Sequence, residues 1–542
     1  MIQSTELAKA VIRDLQLYQN LFESWQMEGG SWRKFSSEIA PMLLEDLANM
    51  QKVLDFLAKE EEAITAHILC ENTQVSLFDI VKTNRSISSK VQQIRYELLP
   101  LLAEILNDLY FWGLCYPDKE RVHQYYQQDM SYLCPLPDVR QAKYDLTILV
   151  AAWNKLEYTQ LCLKHLFQYL PEDLNYELIL LNHGSSDGTK EYFESIHPTK
   201  QINFVRNNKS LSILGRVVEG RNDMFLSNDV LLMPNVIENL LTCLHSDSKI
   251  ACVMPACPNI ANLSSIDIKY NNYDEMIAAA TKNNQSNPKR WIQRARLNPP
   301  VLMARADEEA FYTFLGYRYP FFKERFVAFT DDAMAMVARK AGKKCILAED
   351  SYVHHFGSVT VSNQKSQVYV EGIKAFEKYF GYNPWGDGVC YDYELFSDFT
   401  YLSKERIDIM GINLGLGDNL FQLKCRLFEK TKCRKVKLTH YEFENYAFKQ
   451  TRNLVDKYGT FRRLYDILEK ECNQRFTYIL VDATKEENPI LYFQLFSLLS
   501  EDGILIIKSN DITNIEQLTW YKKCGNWYVF KNQMIKELFT LN

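Results

Sequence analysis

The chain opens in a helical rhythm. Between Pro41 and Glu62 the apolar residues Leu43, Leu47, Met50, Leu54 and Leu57 recur at alternating steps of four and three, which aligns them on one stripe. Pro41 suits a first helical turn, where its missing N–H is no loss. A second stripe runs through Val91, Ile94, Leu98, Leu101 and Ile105, with Pro100 predicted to kink it. Residues 1–140 therefore read as a helical accessory domain. They carry no catalytic motif, and packing, dimerisation or acceptor docking would each suit them.

After the proline-containing stretch CPLPDVRQ the pattern changes. YDLTILVAAWN is a buried-strand run, TQLCLKHLFQYL a helix, YELILLNHGSSDGT a second strand ending in turn residues, and KEYFESI another helix. Such alternation predicts a parallel sheet with right-handed crossovers, and ligands in these sheets bind beyond the carboxyl ends of the strands. From about residue 405 the alternation restarts. IDIMGINLGLGDN reads as strand and loop, NLFQLKCRLFEK as helix, KVKLTHYE as strand, FENYAFKQTRNLVDKYG as helix, and FTYILVDA and DGILIIK as strands. The expected organisation is a helical domain (1–140), an α/β domain (141–395) and a second α/β domain (405–542). That agrees with a length of 542 residues, too long for one core.

Composition narrows the class. Hydrophobic residues make up 47% and charged residues 24%, as in ordinary globular domains, so a mainly disordered chain is excluded. A net charge of −6 gives no reason to expect a nucleic-acid partner. No apolar run is long enough to span a bilayer, and MIQSTELAKAVIRDL lacks the apolar core of a signal peptide. The 13 cysteines show no CxxC spacing, which argues against structural zinc and for reduced thiols. A soluble, cytoplasmic protein is expected.

Four landmarks in residues 144–385 follow one another in the order of a known family. LTILVAAWNKLEYTQLCLKHL places Asn154 after the first strand, with Ala151 where a proline is usual. LILLNHGSSDGT puts Asn182 at the second strand's end and Asp187 in the turn. DMFLSNDVLLMPN supplies Ser227-Asn228-Asp229. FVAFTDDAMAMVARKAGKKCILAED brings Asp331 before Ala341-Gly342. The segment resembles the family 2 glycosyltransferases of GT-A fold, a Rossmann-like mixed sheet.

That resemblance implies an inverting, metal-dependent transfer from a nucleotide-sugar, UDP-sugar favoured, to a glycan or protein acceptor. It places Asn154, Asn182, Asp187, Asn228 and Asp229 at the donor, with Asn182 where the family has a base-contacting Asp. Asp187 is equally readable as an Asx-type turn closure with Gly188. Asp229 would hold Mn2+ or Mg2+ with His354 of EDSYVHHFGSVTV, His355 being the alternate. Asp331 would be the general base, although Thr330, Ala333 and Val337 depart from the motif's Glu, Asp and Arg. Arg206, Lys209 and Arg216 could offset diphosphate charge. Trp291 and the aromatics ending at Trp385 could stack on an acceptor or simply pack.

The carboxy-terminal unit resembles a class I methyltransferase. Gly415 and Gly417 match two glycines of the loop that faces S-adenosylmethionine. Glu442 stands where the ribose hydroxyls would be taken, and Asp482 ends a later strand. Asn413 and Asn419 replace an acid and a glycine, so the fold is expected without a working cofactor site. Two other readings stay open: an enzyme that both glycosylates and methylates, and an inactive GT-A scaffold.

Overall fold

The computed structural model describes residues 2–24, 33–57, 136–203, 217–260, 264–315, 329–357 and, with gaps, 399–532, together with scattered positions elsewhere. The chain divides into two compact units. The first comprises Met1–Trp291, Leu297–Ala338 and Ile346–Ala375; the second comprises Ile292–Arg296, Arg339–Cys345 and Phe376–Asn542.

In the first unit, helices α1 (Ile2–Ser24) and α2 (Ala40–Leu57) pack together, and the Tyr18 hydroxyl donates to Asp46 Oδ2 at 2.9 Å. Leu43, Leu47 and Met50 are buried, as are Ile94, Leu98, Leu101 and Ile105, so these members of the two predicted stripes face a core, while Leu54, Leu57 and Val91 lie outside the residues whose side chains are described. Pro100 lies outside the described residues.

The strands that follow are β1 (Tyr144–Ala152), β2 (Tyr176–Asn182), β3 (Lys200–Asn203), β4 (Gly220–Ser227), β5 (Val230–Leu231), β6 (Ile250–Ala256), β7 (Trp291–Arg294), β8 (Val301–Arg305), β9 (Lys344–Tyr352) and β10 (His354–His355). Helices between them are α3 (Leu156–Tyr169), α4 (Thr189–Ile196), α5 (Val236–His245), α6 (Tyr273–Asn283), α7 (Glu309–Phe314) and α8 (Thr330–Lys340). Eight strands form one sheet in the order β3-β2-β1-β4-β8-β6-β9-β7, and β5 pairs with β10 in a small second one. The large sheet is mixed, as the resemblance to the GT-A fold implies, although the strand–helix alternation alone gave only its parallel part. Strands β1 to β4 are parallel, but β8 runs antiparallel between β4 and β6. Val301–Met303 are buried on both faces like a parallel strand, so their hydrophobicity carried no sign of direction.

The amino edge of this sheet is sealed by a buried ion cluster. Lys200 Nζ lies 2.6 Å from Glu177 and 2.7 Å from Glu219, while Thr147 Oγ1 donates to Glu177 at 2.6 Å. Gly220 is required beside it, since a Cβ there would stand 2.5 Å from Thr147's backbone nitrogen. Burial, then the neighbouring Glu177 charge, pushes Asp223's pKa well up. With that edge closed, the carboxyl edge is where a ligand can be met.

The second unit holds β11 (Arg406–Ile412), β12 (Lys435–Phe443), β13 (Lys457–Phe461), β14 (Phe476–Asp482), β15 (Leu499–Lys508), β16 (Lys522–Cys524) and β17 (Trp527–Lys531), with helices α9 (Asp418–Thr431) and α10 (Leu464–Lys470). Its sheet order is β13-β12-β11-β14-β15-β17-β16. Five parallel strands have the doubly wound order 3-2-1-4-5, with β17 antiparallel between β15 and β16. The helix expected through Gly459 is corrected in part, because Lys457–Phe461 is strand β13. Tyr458 donates to Glu442 at 2.5 Å and the Phe461 ring stacks edge-on to Tyr441, so cross-strand aromatic contacts outweigh local helical pattern. Residues 445–454 lie outside the described ones. No helix of the described residues is long and apolar enough to cross a membrane.

Candidate active site

Register brings the sequence landmarks to one edge. Ala152 stands beside Asn182, Asn182 beside Asn203, and Ala151 beside Ser227, so β1, β2, β3 and β4 end together. Asn154 and Lys155 take left-handed backbone conformations directly after β1. Asn154 Oδ1 accepts from the Ser186 amide at 2.8 Å, and its own amide donates to Ser185 Oγ at 2.8 Å. Asp187 braces two helices: Oδ2 accepts from the Leu156 amide at 2.9 Å, and Oδ1 from the Thr189 hydroxyl at 2.6 Å. Burial tends to raise its pKa, but the Thr189 and backbone donors leave it below the ordinary value. Asn182 is buried, and both ends of its amide are engaged, Oδ1 with the Ser185 amide and Nδ2 with Asn203. These residues build the loop that crosses the sheet edge. Asp187 behaves as the turn-closing group, and the Asn182 amide is turned inward.

Asn228 also points inward, its Nδ2 donating to Thr159 Oγ1 on α3 at 3.0 Å. That pins the β4–β5 turn and leaves Asp229 as its acid. Asp229 Oδ1 accepts from Ser227 Oγ at 2.6 Å. The β5–β10 ladder pairs His355 with Val230, and His355 Nε2 comes 3.4 Å from Asp229 Oδ2. Successive strand residues face opposite ways, so His354 turns elsewhere: its Nδ1 meets the Tyr270 hydroxyl at 2.6 Å, and Tyr270 meets Tyr352 at 2.9 Å. It is the alternate histidine that faces the acid. Burial opposes charge on Asp229, yet the His355 hydrogen bond and charge, with the Ser227 hydroxyl, hold its carboxyl below the ordinary pKa. Burial, reinforced by His355 and His165, lowers the His354 pKa. Sequence reasoning missed Thr159 and Tyr352, although both stand inside landmark segments, and Tyr270, which stands in none.

Asp331 sits in the first turn of α8, nearly buried, and its Oδ1 accepts from the Asp332 amide at 3.1 Å. The Trp291 indole donates to Asp350 at 2.8 Å, a packing role. Arg206, Lys209, Arg216 and Trp385 lie outside the described residues.

Residues 147–265 match the family model described as Glycosyl transferase family 2. The chain carries a glycosyltransferase domain. No curated protein matches it. Among solved structures, this glycosyltransferase is similar to GalNAc-T7 with UDP, GalNAc and Mn2+, at 10% identity and TM-score 0.34, over 43% of this chain and 48% of that one. It is also similar to the mannosyltransferase PcManGT from Pyrobaculum calidifontis in complex with GDP-Man and Mn2+, at 15% identity and TM-score 0.28, over 48% of this chain and 70% of that one. The chain thus spans about half the length of GalNAc-T7, and at these TM-scores neither likeness carries further weight.

A divalent cation fits the glycosyltransferase site as a two-donor arrangement. Among the described residues no group of three His, Cys, Asp or Glu side chains gathers, so Asp229 and His355 would be the protein's contribution. Their 3.4 Å separation is close to the roughly 3 Å edge of an octahedron with ~2.1 Å bonds. Hard cations accept phosphate and water oxygens for the remaining positions.

In the second unit, Gly415 and Gly417 both have positive φ after β11, as a tight strand-to-helix turn requires. Asn413 Oδ1 accepts from the Phe443 amide at 2.9 Å. Glu442 is wholly buried and accepts from the Tyr458 hydroxyl. Asp482 closes a local turn with the Thr484 amide and hydroxyl.

Proposed function

We propose that the chain is an inverting glycosyltransferase that moves a sugar from a nucleotide-sugar, with UDP-sugar favoured, to a glycan or protein acceptor. The observation that carries this is the meeting of Asp229, inside the segment matched to family 2, with His355 from beyond it at the carboxyl edge. Asp229 and His355 would hold Mn2+ or Mg2+, and His354 serves by fixing the Tyr270 side of the strand. The bound cation would neutralise charge growing on the leaving diphosphate. Asn154, Asn182 and Asp187 shape the nucleotide cradle through the loop they brace. Asn228 anchors the turn from which Asp229 projects. Asp331 takes the acceptor hydroxyl's proton as that oxygen attacks the anomeric carbon. The carboxy-terminal unit is a methyltransferase-type fold whose buried Glu442 speaks against S-adenosylmethionine binding.

Donor hydrolysis with Mn2+ tests the assignment. Asp229→Ala is expected to lower it about a thousandfold, the scale of losing a principal electrostatic stabiliser. Asp331→Asn should leave donor affinity intact while slowing transfer about a hundredfold or more. Wild-type-like hydrolysis by Asp229→Ala would remove the proposal.

A further inference from the structure

Asn284 caps the end of α6, its backbone N–H donating to the Ala280 carbonyl at 2.8 Å, and its side chain is wholly buried. Three of the four hydrogen-bonding positions of that amide are taken by backbone groups. Oδ1 accepts from the Tyr352 amide at 2.7 Å. Nδ2 donates to the Tyr352 carbonyl at 3.1 Å and to the Pro234 carbonyl at 2.9 Å. Asn235 returns the contact, its Nδ2 donating to the Asn284 carbonyl at 3.1 Å.

The partners' places in the chain give this arrangement its consequence. Tyr352 ends β9 just before β10, and Pro234 follows shortly after Leu231, the end of β5. One buried side chain therefore bonds both to the chain leaving β5 and to the chain entering β10. These two strands form the short ladder that pairs His354 with Leu231 and His355 with Val230. So short a ladder specifies its own register weakly, and a one-residue slip would exchange the histidine that faces Asp229. The Asn284 amide specifies it strongly, because a slip would leave its backbone partners buried and unmet. Beyond it, Asn259 Nδ2 holds the His355 carbonyl at 3.0 Å, so β10 is tied at both ends. We propose that Asn284 is a positioning residue that fixes β10 in the register bringing His355, and not His354, to Asp229. The inference rests on the reading of Asp229 and His355 as the cation's holders, and Asn284 acts through His355 rather than on the cation itself.

Mn2+ binding to the full chain, followed by loss of the free ion's paramagnetic resonance signal, tests this without reference to turnover. Asn284→Ala is expected to weaken Mn2+ about tenfold, the lower end of losses from outer-shell partners of a metal ligand. That effect should nearly vanish in a His355→Ala background and persist in a His354→Ala background, since only the first removes the side chain through which Asn284 works. A general loss of folding would move both backgrounds alike. Asn239→Ala deletes another buried amide's bond, 3.1 Å to the Asp350 carbonyl. It should lower the urea midpoint and leave Mn2+ binding unchanged. Should Asn284→Ala not fold, Asn235→Gly carries the same comparison at about threefold, because it suits φ 64° and loosens the clamp by one hydrogen bond. Unaltered Mn2+ affinity in the folded variants, equal weakening in the two histidine backgrounds, or an equal loss in Asn239→Ala would each overturn the proposal. Absence of Mn2+ binding by the wild-type chain would remove the reading of the site itself, and the proposal with it.

Discussion

The two sheets end their first strands with the same device and put it to different ends. After β1, Asn154 sits at φ 56° and accepts from the Ser186 amide just beyond the second strand; after β11, Asn413 sits at φ 55° and accepts from the amide of Phe443, the last residue of β12. Each asparagine ties strand one to strand two across the sheet's carboxyl edge. In the first unit the neighbouring strand end then presents Asp229 to His355. In the second, the acid at the comparable place, Asp482 at the end of β14, closes a local turn with Thr484, Glu442 on β12 is wholly buried against Tyr458, and the buried His440 Nε2 accepts from the Leu414 amide at 3.1 Å. The shared brace is scaffold. Chemistry depends on which titratable groups the strand ends bring against one another.

The largest difference to probe lies in the paired histidines. His355→Ala should raise the Mn2+ concentration needed for half-maximal donor hydrolysis by about 10–100-fold, whereas His354→Ala should cost only a few-fold through lost orientation. A Mn2+ titration of both variants decides it, and the reverse order would move the metal-facing role to His354.

That pair also marks where the sequence runs out. The strand–helix alternation, the two helical stripes and the cluster of landmarks at one sheet edge follow from period and turn residues. Which histidine faces Asp229 does not, because it depends on the register of β10 against Val230–Leu231, and a one-residue slip exchanges the faces. Asn182 and Glu442 were legible as strand-end polar residues, but their inward direction is set by Asn203 and Tyr458, which arrive from later strands. The strand at Lys457–Phe461 was hidden for a related reason: its stabilising partners are on β12, outside any local window.

A middle-sized effect tests the second unit's buried polar residues by pH. Burial lowers the His440 pKa to about 3, below the ~6.5 of an unfolded histidine. Between those values the unfolded chain binds the extra proton, so the contribution is complete above about pH 6.5 and is lost as pH falls below it, at roughly 1 kcal/mol per pH unit. Urea midpoints of the second unit's transition should therefore drop between pH 6.5 and 5.5. His440→Gln should flatten that slope. An unchanged slope would mean that His440 does not carry the acid sensitivity.

The smallest effect tests the comparison most directly. Asn154→Gly and Asn413→Gly both keep a residue that tolerates positive φ while deleting the side-chain acceptor, so each isolates one hydrogen bond, about 0.5–1 kcal/mol of stability. If the brace is common scaffold, the two losses in urea denaturation should be alike. Only Asn154→Gly should also raise the KM for donor, because its partner Ser186 lies in the loop that includes Asp187, whereas Asn413 braces β11 to β12 in the other sheet. A matching KM rise for Asn413→Gly would show that the second sheet edge takes part in sugar transfer after all, and the division between scaffold and chemistry would have to be redrawn.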